Sequence, residues 1–374
     1  MNPFDFSAEA ENQLLINPKA SFQEQSDLRQ LKAAFEYKYQ NKNYFLVPSS
    51  GSSKGQNESV RLIALHQNAI ISSAKRVNAF FNLTRNLTWG LVLPTFHVAG
   101  LGVYARAFAS GASVFAADWS VLKFKSWILQ NQIHLISLVP TQVFDIVQNQ
   151  IICPEGVQIV FVGAAALSAE LKQKAFALKW PIIETYGMTE AASMVAVQVS
   201  NRLQIMSQVE VSLFDNKLKI KTESLMTCSV QKVDQEIQFK TLDNGWLQTE
   251  DRVFIYNENG IQYLQLLGRD SDFVKIFGEG VSLVLLRQIL KENNGLALVA
   301  VTHERSEYEI ALVAEMQLSD DQIKIIISEF NQQVRPFENI KRIYKLEQIP
   351  RSDLGKIKFK SLEELIKGKP YEKL

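Results

Sequence analysis

Ser49-Ser50-Gly51-Ser52-Ser53-Lys54-Gly55 follows a short apolar run and combines small residues with hydroxyls. Small residues let a backbone come close to a phosphate, and hydroxyls with backbone N–H groups can cradle its oxygens. A surface loop has the same composition. Pro94-Thr95-Phe96-His97-Val98-Ala99-Gly100-Leu101-Gly102 sets a histidine just past another apolar run. At the carboxyl end of a parallel strand, His97 would face the crevice where open α/β sheets bind ligands. Its imidazole could meet a carboxylate there; a hydrogen-bonded structural histidine is the plainer alternative. Thr185-Tyr186-Gly187-Met188-Thr189-Glu190 offers an aromatic face, a hydroxyl and a carboxylate in one short stretch. Tyr186 could pack on a base, Thr189 could bond a phosphate and Glu190 could hold Mg²⁺ through oxygen. The alternative is a tight strand-to-helix turn with Glu190 in the first helical turn, where negative charge is favoured.

Two further segments add charge. In Thr249-Glu250-Asp251-Arg252 the acid Asp251 could accept hydrogen bonds from ribose hydroxyls, and Gly268-Arg269 could add a second ribose or phosphate contact. Near the end, Pro350-Arg351-Ser352-Asp353-Leu354-Gly355-Lys356-Ile357 presents a lysine after a glycine. An ammonium point charge suits a transferring phosphoryl group. Each of these groups, alone, also fits a solvated surface.

The elements that must position these residues fall into two textures. Up to about residue 267, short β-branched or aromatic runs alternate with amphipathic helical stretches. Tyr44-Phe45-Leu46-Val47, Leu91-Val92-Leu93-Pro94, Ile136-Ser137-Leu138-Val139-Pro140 and Ile159-Val160-Phe161-Val162 read as strands, two of them stopped by proline. Ser168 caps a helix over Ala169–Leu178. This alternation predicts α/β layers with a mostly parallel sheet. After residue 200, Val209–Phe214, Lys217–Lys221 and Glu236–Lys240 are short and alternating, which predicts a small antiparallel β subdomain. A smaller α+β unit follows, with helices over Val281–Lys291 and from Ser319, where Gln322 can close a capping box. The expected domains are 1–267 and 268–374, the second mobile, with the hinge at Gly268–Asp272.

Composition narrows the class. The 374 residues are 47% apolar and 21% charged, the balance of a globular chain, and the net charge of +1 gives no field for nucleic acid. The longest apolar runs are too short to span a bilayer, and the start has no leader pattern, so a cytoplasmic location is expected. Cys153 and Cys228 have no metal-ligand spacing and read as small core hydrophobes, and the four histidines form no zinc motif.

The order of the motifs, from Ser49 to Lys356, resembles the adenylate-forming superfamily of acyl-CoA synthetases, luciferases and peptide-synthetase adenylation domains. Finer detail is similar to the o-succinylbenzoate–CoA ligases of menaquinone synthesis. That detail is Leu93-Pro94, Phe96 to Gly100, Arg106, Ser137-Leu138-Val139-Pro140-Thr141-Gln142, Gly163-Ala164-Ala165-Ala166 and Gly278-Glu279-Gly280.

The resemblance implies an acid, ATP, Mg²⁺ and CoA, and two half-reactions through an acyl-adenylate. It implies that Ser50, Gly51, Ser52 and Ser53 hold phosphates and that Lys356 drives adenylation. Thr189 would contact the α-phosphate and Glu190 would hold Mg²⁺. Tyr186, Gly187 and Gly163 to Ala165 would flank adenine, Asp251 and Arg269 would bind ribose, and His97 would guard the acyl pocket. Gly278 and Gly280 would line a pantetheine tunnel after the small domain turns. Arg106 is expected to take the second carboxylate of the acid, since a guanidinium fork matches a carboxylate; a surface or structural arginine is the alternative.

Three features depart from the family pattern. The phosphate loop lacks the usual Pro-Lys end, since Lys54 is followed by Gly55-Gln56-Asn57. Thr-Gly-Asp appears as Thr249-Glu250-Asp251. The segment before Ser49 is short, so part of the large domain's sheet is expected to need another covering element or a partner chain. Two alternatives stay open: a nucleotide- or acyl-adenylate-binding protein that has lost catalysis, and a ligase for another aromatic or fatty acid. Oligomeric state is open, a homodimer among the options.

Overall fold

The computed structural model describes residues 2–49, 60–233, 236–269, 272–290, 295–352 and 355–374. Its centre is an eleven-stranded sheet. Five strands run parallel across one half, in the spatial order Ser113–Ala116, Thr88–Leu91, Leu135–Leu138, Ile159–Val162 and Ile182–Met188. At Ile182–Met188 the sheet changes character. Its other edge pairs antiparallel with Ser193–Val199, and every later strand of this sheet is antiparallel. A crevice outside strand ends at such a change of direction is where α/β sheets bind ligands.

Two layers of helix enclose this sheet. Helices Val121–Gln130, Pro140–Gln148 and Ala169–Ala177 bury Phe124, Ile128, Val143, Ile146 and Ala175 on one face. On the other, helices Gln67–Phe80 and Val98–Ser110 sit between the large sheet and a five-stranded sheet that contains Tyr44–Ser49 and Arg61–His66. The outer face of that second sheet is covered by helix Phe22–Tyr39, through Leu28, Leu31 and Phe35. For this five-stranded sheet the cover comes from the short N-terminal segment itself.

The strands after residue 200 divide differently from the single small subdomain expected. Glu210–Phe214 and Lys217–Lys221 extend the large sheet, whereas Cys228–Val233 and Glu236–Thr241 complete the five-stranded one. Alternating polarity specifies a half-buried strand but not the edge it joins. The strand read at Leu91–Pro94 is likewise shifted to Thr88–Leu91, because the Val92 carbonyl accepts from Gln142 Nε2 at 3.2 Å instead of a ladder partner.

Strand Ile261–Arg269 closes the large sheet, and a third sheet begins at Phe273. It packs helices Leu283–Leu290 and Asp320–Asn331 on one face and helix Phe359–Ile366 on the other. The two predicted caps are present: Ser168 Oγ accepts from Leu171 N, and Ser319 with Gln322 forms a reciprocal capping box. Both cysteines are free thiols, Cys228 buried and Cys153 partly so. No helix among the described residues is long and apolar enough to cross a membrane.

Phe35 is fully buried and packs its ring against Tyr39 and Tyr44, each centroid 4.9 Å away. Phe35→Ala should destabilise the protein by about 3–5 kcal/mol, the usual cost of deleting a buried aromatic ring. The urea unfolding midpoint checks this, and an unchanged midpoint would show that the helix does not cover the sheet.

Candidate active site

A cleft of about 400 Å³ opens where the large sheet changes direction, and side chains from all three sheets or their loops reach it. Its floor is organised by one carboxylate. Tyr186 Oη donates to Asp251 Oδ2 at 2.6 Å, and Arg269 Nε donates to Asp251 Oδ1 at 2.6 Å. Asp251 and Arg269 are cross-strand partners at the base of the Leu247–Glu258 and Ile261–Arg269 hairpin, and Tyr186 comes from the last parallel strand. Thr249 orients the turn: its hydroxyl donates to Leu218 O at 2.9 Å and accepts from Asp251 N at 3.1 Å. Burial, and then the neighbouring negative charge and hydrogen bond of Asp251, hold the Tyr186 phenol protonated well above its ordinary range. Burial opposes the charge on Arg269, yet Asp251 outweighs it and raises the guanidinium pKa. Glu250, the bulky departure beside Asp251, turns away to Lys217 at 2.8 Å.

Beyond Tyr186 the chain makes a tight turn. A Cβ on Gly187 would lie 1.8 Å from Ser193 O, so only glycine lets strand Ser193–Val199 fold back this closely. Thr189–Ala191 form a single 3₁₀ turn, and the chain returns at once as an antiparallel strand. The strand-to-helix alternative for this motif therefore does not hold. The backbone carbonyl of Glu190 accepts from Met226 N at 2.8 Å, and its carboxylate lies 3.2 Å from Arg61 Nη1. Gly163 and Ala164 also line the cleft, whereas Ala165 is exposed outside it. Ser50, Gly51, Ser52 and Ser53 lie outside the described residues.

At the opposite end His97 is the N-cap residue of helix Val98–Ser110, and Arg106 lies on the same helix. Both line the cleft. Arg106 Nη2 donates to Ser193 Oγ at 3.0 Å, and its guanidinium lies 5.5 Å from the Trp89 ring centroid and 5.9 Å from that of Phe161. Burial lowers its pKa to about 10. Among the described residues no carboxylate pairs with it, and its buried Nη1 has no acceptor. A desolvated cation in this state is matched by an anionic or carbonyl group of a ligand.

The C-terminal lobe closes the cleft with the loop before Lys358. Ser352 N donates to Lys356 O at 2.8 Å, and Lys356 N donates to Ser352 Oγ at 3.2 Å. Gly355 has φ +71°, and a Cβ there would lie 2.4 Å from Thr141 Cγ2 on helix Pro140–Gln148. The backbone thus presses directly on the large lobe, and Lys356 points into the cleft that holds Asp251, Arg269 and Thr189. Burial and then the charge of Arg269 lower the Lys356 pKa, with Asp251 and Asp272 opposing.

Gly278 and Gly280 do not join this cleft. Gly278 occupies the turn between two strands of the third sheet, and Gly280 lines a separate cavity beside Arg335. The sequence reading did not single out Arg61 or Ser193 and gave Thr141 no role. Arg61 is a lone cation at a strand start, and only the fold brings it to Glu190.

The residues present fit a magnesium ion carried by a polyphosphate. Among the described residues no three acidic, cysteine or histidine side chains cluster; of the three carboxylates lining the cleft, Glu250 pairs with Lys217 and Asp251 is held by Tyr186 and Arg269, while Glu190 stands beside Arg61. Mg²⁺ is typically held by one or two carboxylates plus substrate phosphates.

Residues 62–233 match the model of a family described as AMP-binding enzyme. The 2-succinylbenzoate–CoA ligase of Staphylococcus epidermidis is 25% identical over 326 residues, which cover 81% of this chain and 67% of that protein. The protein of the same name from Staphylococcus aureus is 25% identical over 293 residues, covering 73% of this chain and 58% of its own length. The chain therefore spans only part of these relatives. In three dimensions it resembles the o-succinylbenzoate CoA synthetase of Bacillus subtilis in complex with the acyl-adenylate intermediate OSB-AMP. The TM-score is 0.75 at 17% identity, covering 88% of this chain and 70% of that one. The Bacillus subtilis enzyme with ATP and magnesium ion gives a TM-score of 0.71 at 18% identity, covering 86% and 69%.

The lowered Lys356 pKa has a linked consequence. The docked lobe holds this proton less tightly than a free lysine of pKa 10.5, so the charged ammonium opposes docking at neutral pH. That opposition fades as pH rises through the lowered value toward 10.5. Lys356→Met should therefore melt above wild type at pH 7, with the gap narrowing toward pH 10. Thermal unfolding across that range checks it, and a pH-independent gap would count against the buried charge.

Proposed function

We propose that this chain, a member of the AMP-binding enzymes in sequence over residues 62–233 and in fold over most of its length, is an AMP-forming acid–CoA ligase acting on o-succinylbenzoate. The observation that carries the reading is the convergence of two lobes. Lys356 of the C-terminal loop faces the same cleft as Thr189, Asp251 and Arg269 of the large lobe, with Tyr186 behind Asp251 as its hydrogen-bond donor. The acid is assigned from the named relatives and from Arg106, whose buried guanidinium suits the second carboxylate of a dicarboxylic acid.

In the first half-reaction a carboxylate oxygen attacks the α-phosphorus of ATP, the bond from that phosphorus to the β-phosphate oxygen breaks, and diphosphate leaves. Charge accumulates on the phosphoryl oxygens, so preset donors and cations lower the barrier. Asp251, already oriented by Tyr186 and Arg269, accepts from the ribose hydroxyls. The Thr189 hydroxyl donates to the α-phosphate, and Lys356 supplies the positive charge. Glu190 would hold Mg²⁺, which when bound neutralises phosphate charge. His97 and Arg106 orient the acid from the far end. In the second half-reaction the CoA thiolate attacks the acyl carbon and AMP departs with both electrons of the broken C–O bond. Lys356 would block that approach, so the C-terminal lobe turns about residues 268–272 between the steps, which is also how Gly278 and Gly280 would reach pantetheine. A cytoplasmic location, where ATP and CoA are available, agrees with this reading.

Purified protein with Mg²⁺-ATP, o-succinylbenzoate and CoA should release AMP and diphosphate in equal amounts. Binding of AMP without turnover on any acid would replace this reading with a binding protein, and turnover on other acids alone would remove the substrate. Lys356→Ala should slow adenylation by about 10²–10³-fold, the usual loss of an electrostatic stabiliser. CoA thiolysis of supplied acyl-adenylate should be unaffected. Arg106→Ala should raise the KM for o-succinylbenzoate and leave that for ATP unchanged; an unaltered acid KM would end its role.

A further inference from the structure

The cations that line the cleft among the described residues are Arg61, Arg106, Lys240, Arg269 and Lys356. Three have work in the reaction above: Arg269 holds Asp251, Arg106 sits at the acyl end and Lys356 closes from the small lobe. None of these lies beside Glu190. Arg61 does, with Nη1 3.2 Å from Glu190 Oε1 and its side chain 29% exposed. It stands opposite Ser49 at the start of strand Arg61–His66, so it flanks the hydroxyl-rich segment 50–59 in sequence. Lys240 shares its face of the sheet: Arg61 and Ile63 are two residues apart, Ser229 pairs with Ile63, and Lys240 pairs with Ser229. One wall of the cleft therefore carries two cations, Arg61 and Lys240.

We propose that Arg61 is the residue that binds the β- and γ-phosphates of ATP and receives the departing diphosphate, with Lys240 as a supporting charge. The assignment rests on the ligase reading and deepens it. The segment 50–59 contains a single lysine, Lys54, and no arginine. Without a further cation the polyphosphate would meet Mg²⁺, hydroxyls and Lys54 alone. A guanidinium has five donors in a planar fork, so Arg61 can keep Glu190 and bond phosphate oxygens together. When the α-phosphorus bond breaks, the electron pair stays on the β-phosphate oxygen, and Arg61 donates an N–H to that growing charge. No proton is transferred.

Hydrogen bonds to charged groups contribute about 1.5–3 kcal/mol each, or about 10–100-fold in affinity. Arg61→Gln should weaken equilibrium binding of Mg²⁺-ATP and of inorganic diphosphate by at least about tenfold, and leave AMP binding unchanged because AMP lacks the phosphates in question. Arg61→Lys should restore part of the loss, and thermal unfolding of both variants reports that the fold is kept. Equal weakening of ATP and AMP, or no change in either, would overturn the assignment. A wild-type protein that binds neither AMP nor ATP would remove the ligase reading itself, and Arg61's role with it.

Discussion

The cleft depends on the grip that Tyr186 and Arg269 keep on Asp251. One carboxylate accepts from a phenol on the last parallel strand and from a guanidinium on the last antiparallel strand, each at 2.6 Å. Two halves of a continuous sheet are thereby tied across the line where strand direction changes. The bonds are charge-assisted, and the carboxylate they share is 13% exposed while the Arg269 side chain is 41% exposed, so the phenol side of the grip is the drier one. A carboxylate has about four acceptor positions. Two are consumed in holding the site together, and the remainder face the cleft in a fixed direction. In the proposed reaction that direction is the ribose.

From Arg269 the same logic continues into the small lobe. Its backbone N–H donates to Asp272 Oδ2 at 2.9 Å, and Asp272 Oδ1 accepts from Arg287 Nη1 at 2.8 Å. Arg287 also donates to Leu298 O and lies over the Phe359 ring. An alternating run of acid and base therefore leads from Tyr186 to the core of the third sheet. The Arg269–Asp272 bond lies within the expected hinge, Gly268–Asp272, so a turn of the lobe there would have to break and remake it. The closed arrangement is also the one that buries the Lys356 ammonium at a cost. In the proposed cycle, favourable bonds at the hinge and an unfavourable charge at the tip would let a ligand of opposite charge shift the lobe.

The sequence was readable where the signal is local. Ile159–Val162, the Ser168 cap and the Ser319–Gln322 box depend on residues within one turn or strand, and all are present. Tyr186, Asp251, Arg269 and Lys356 were legible as a set because their order along the chain carries information that each lacks alone. Strand pairing after residue 200 was not legible. Glu236–Thr241 and Lys217–Lys221 have similar alternation, and nothing within either says which sheet edge is open to it. Contacts such as Gly187 against Ser193, or Arg61 against Glu190, arise only after the strands have been placed. Gly278 and Gly280 were read for a different lobe orientation, so they stand away from the cleft described here.

Gly355 touches Thr141 with backbone alone, leaving no room for even a methyl group. The backbone at Gly355 is therefore stopped against Thr141, one residue before the lysine. Ordering a lysine side chain costs up to about 2 kcal/mol of rotamer entropy. With translation already halted at the threonine, only torsional searching remains, and the four-carbon stem of Lys356 samples a small cone instead of a volume. Reach is set by a missing atom in one lobe and a β-branched residue in the other, much as a stop collar sets the depth of a drill.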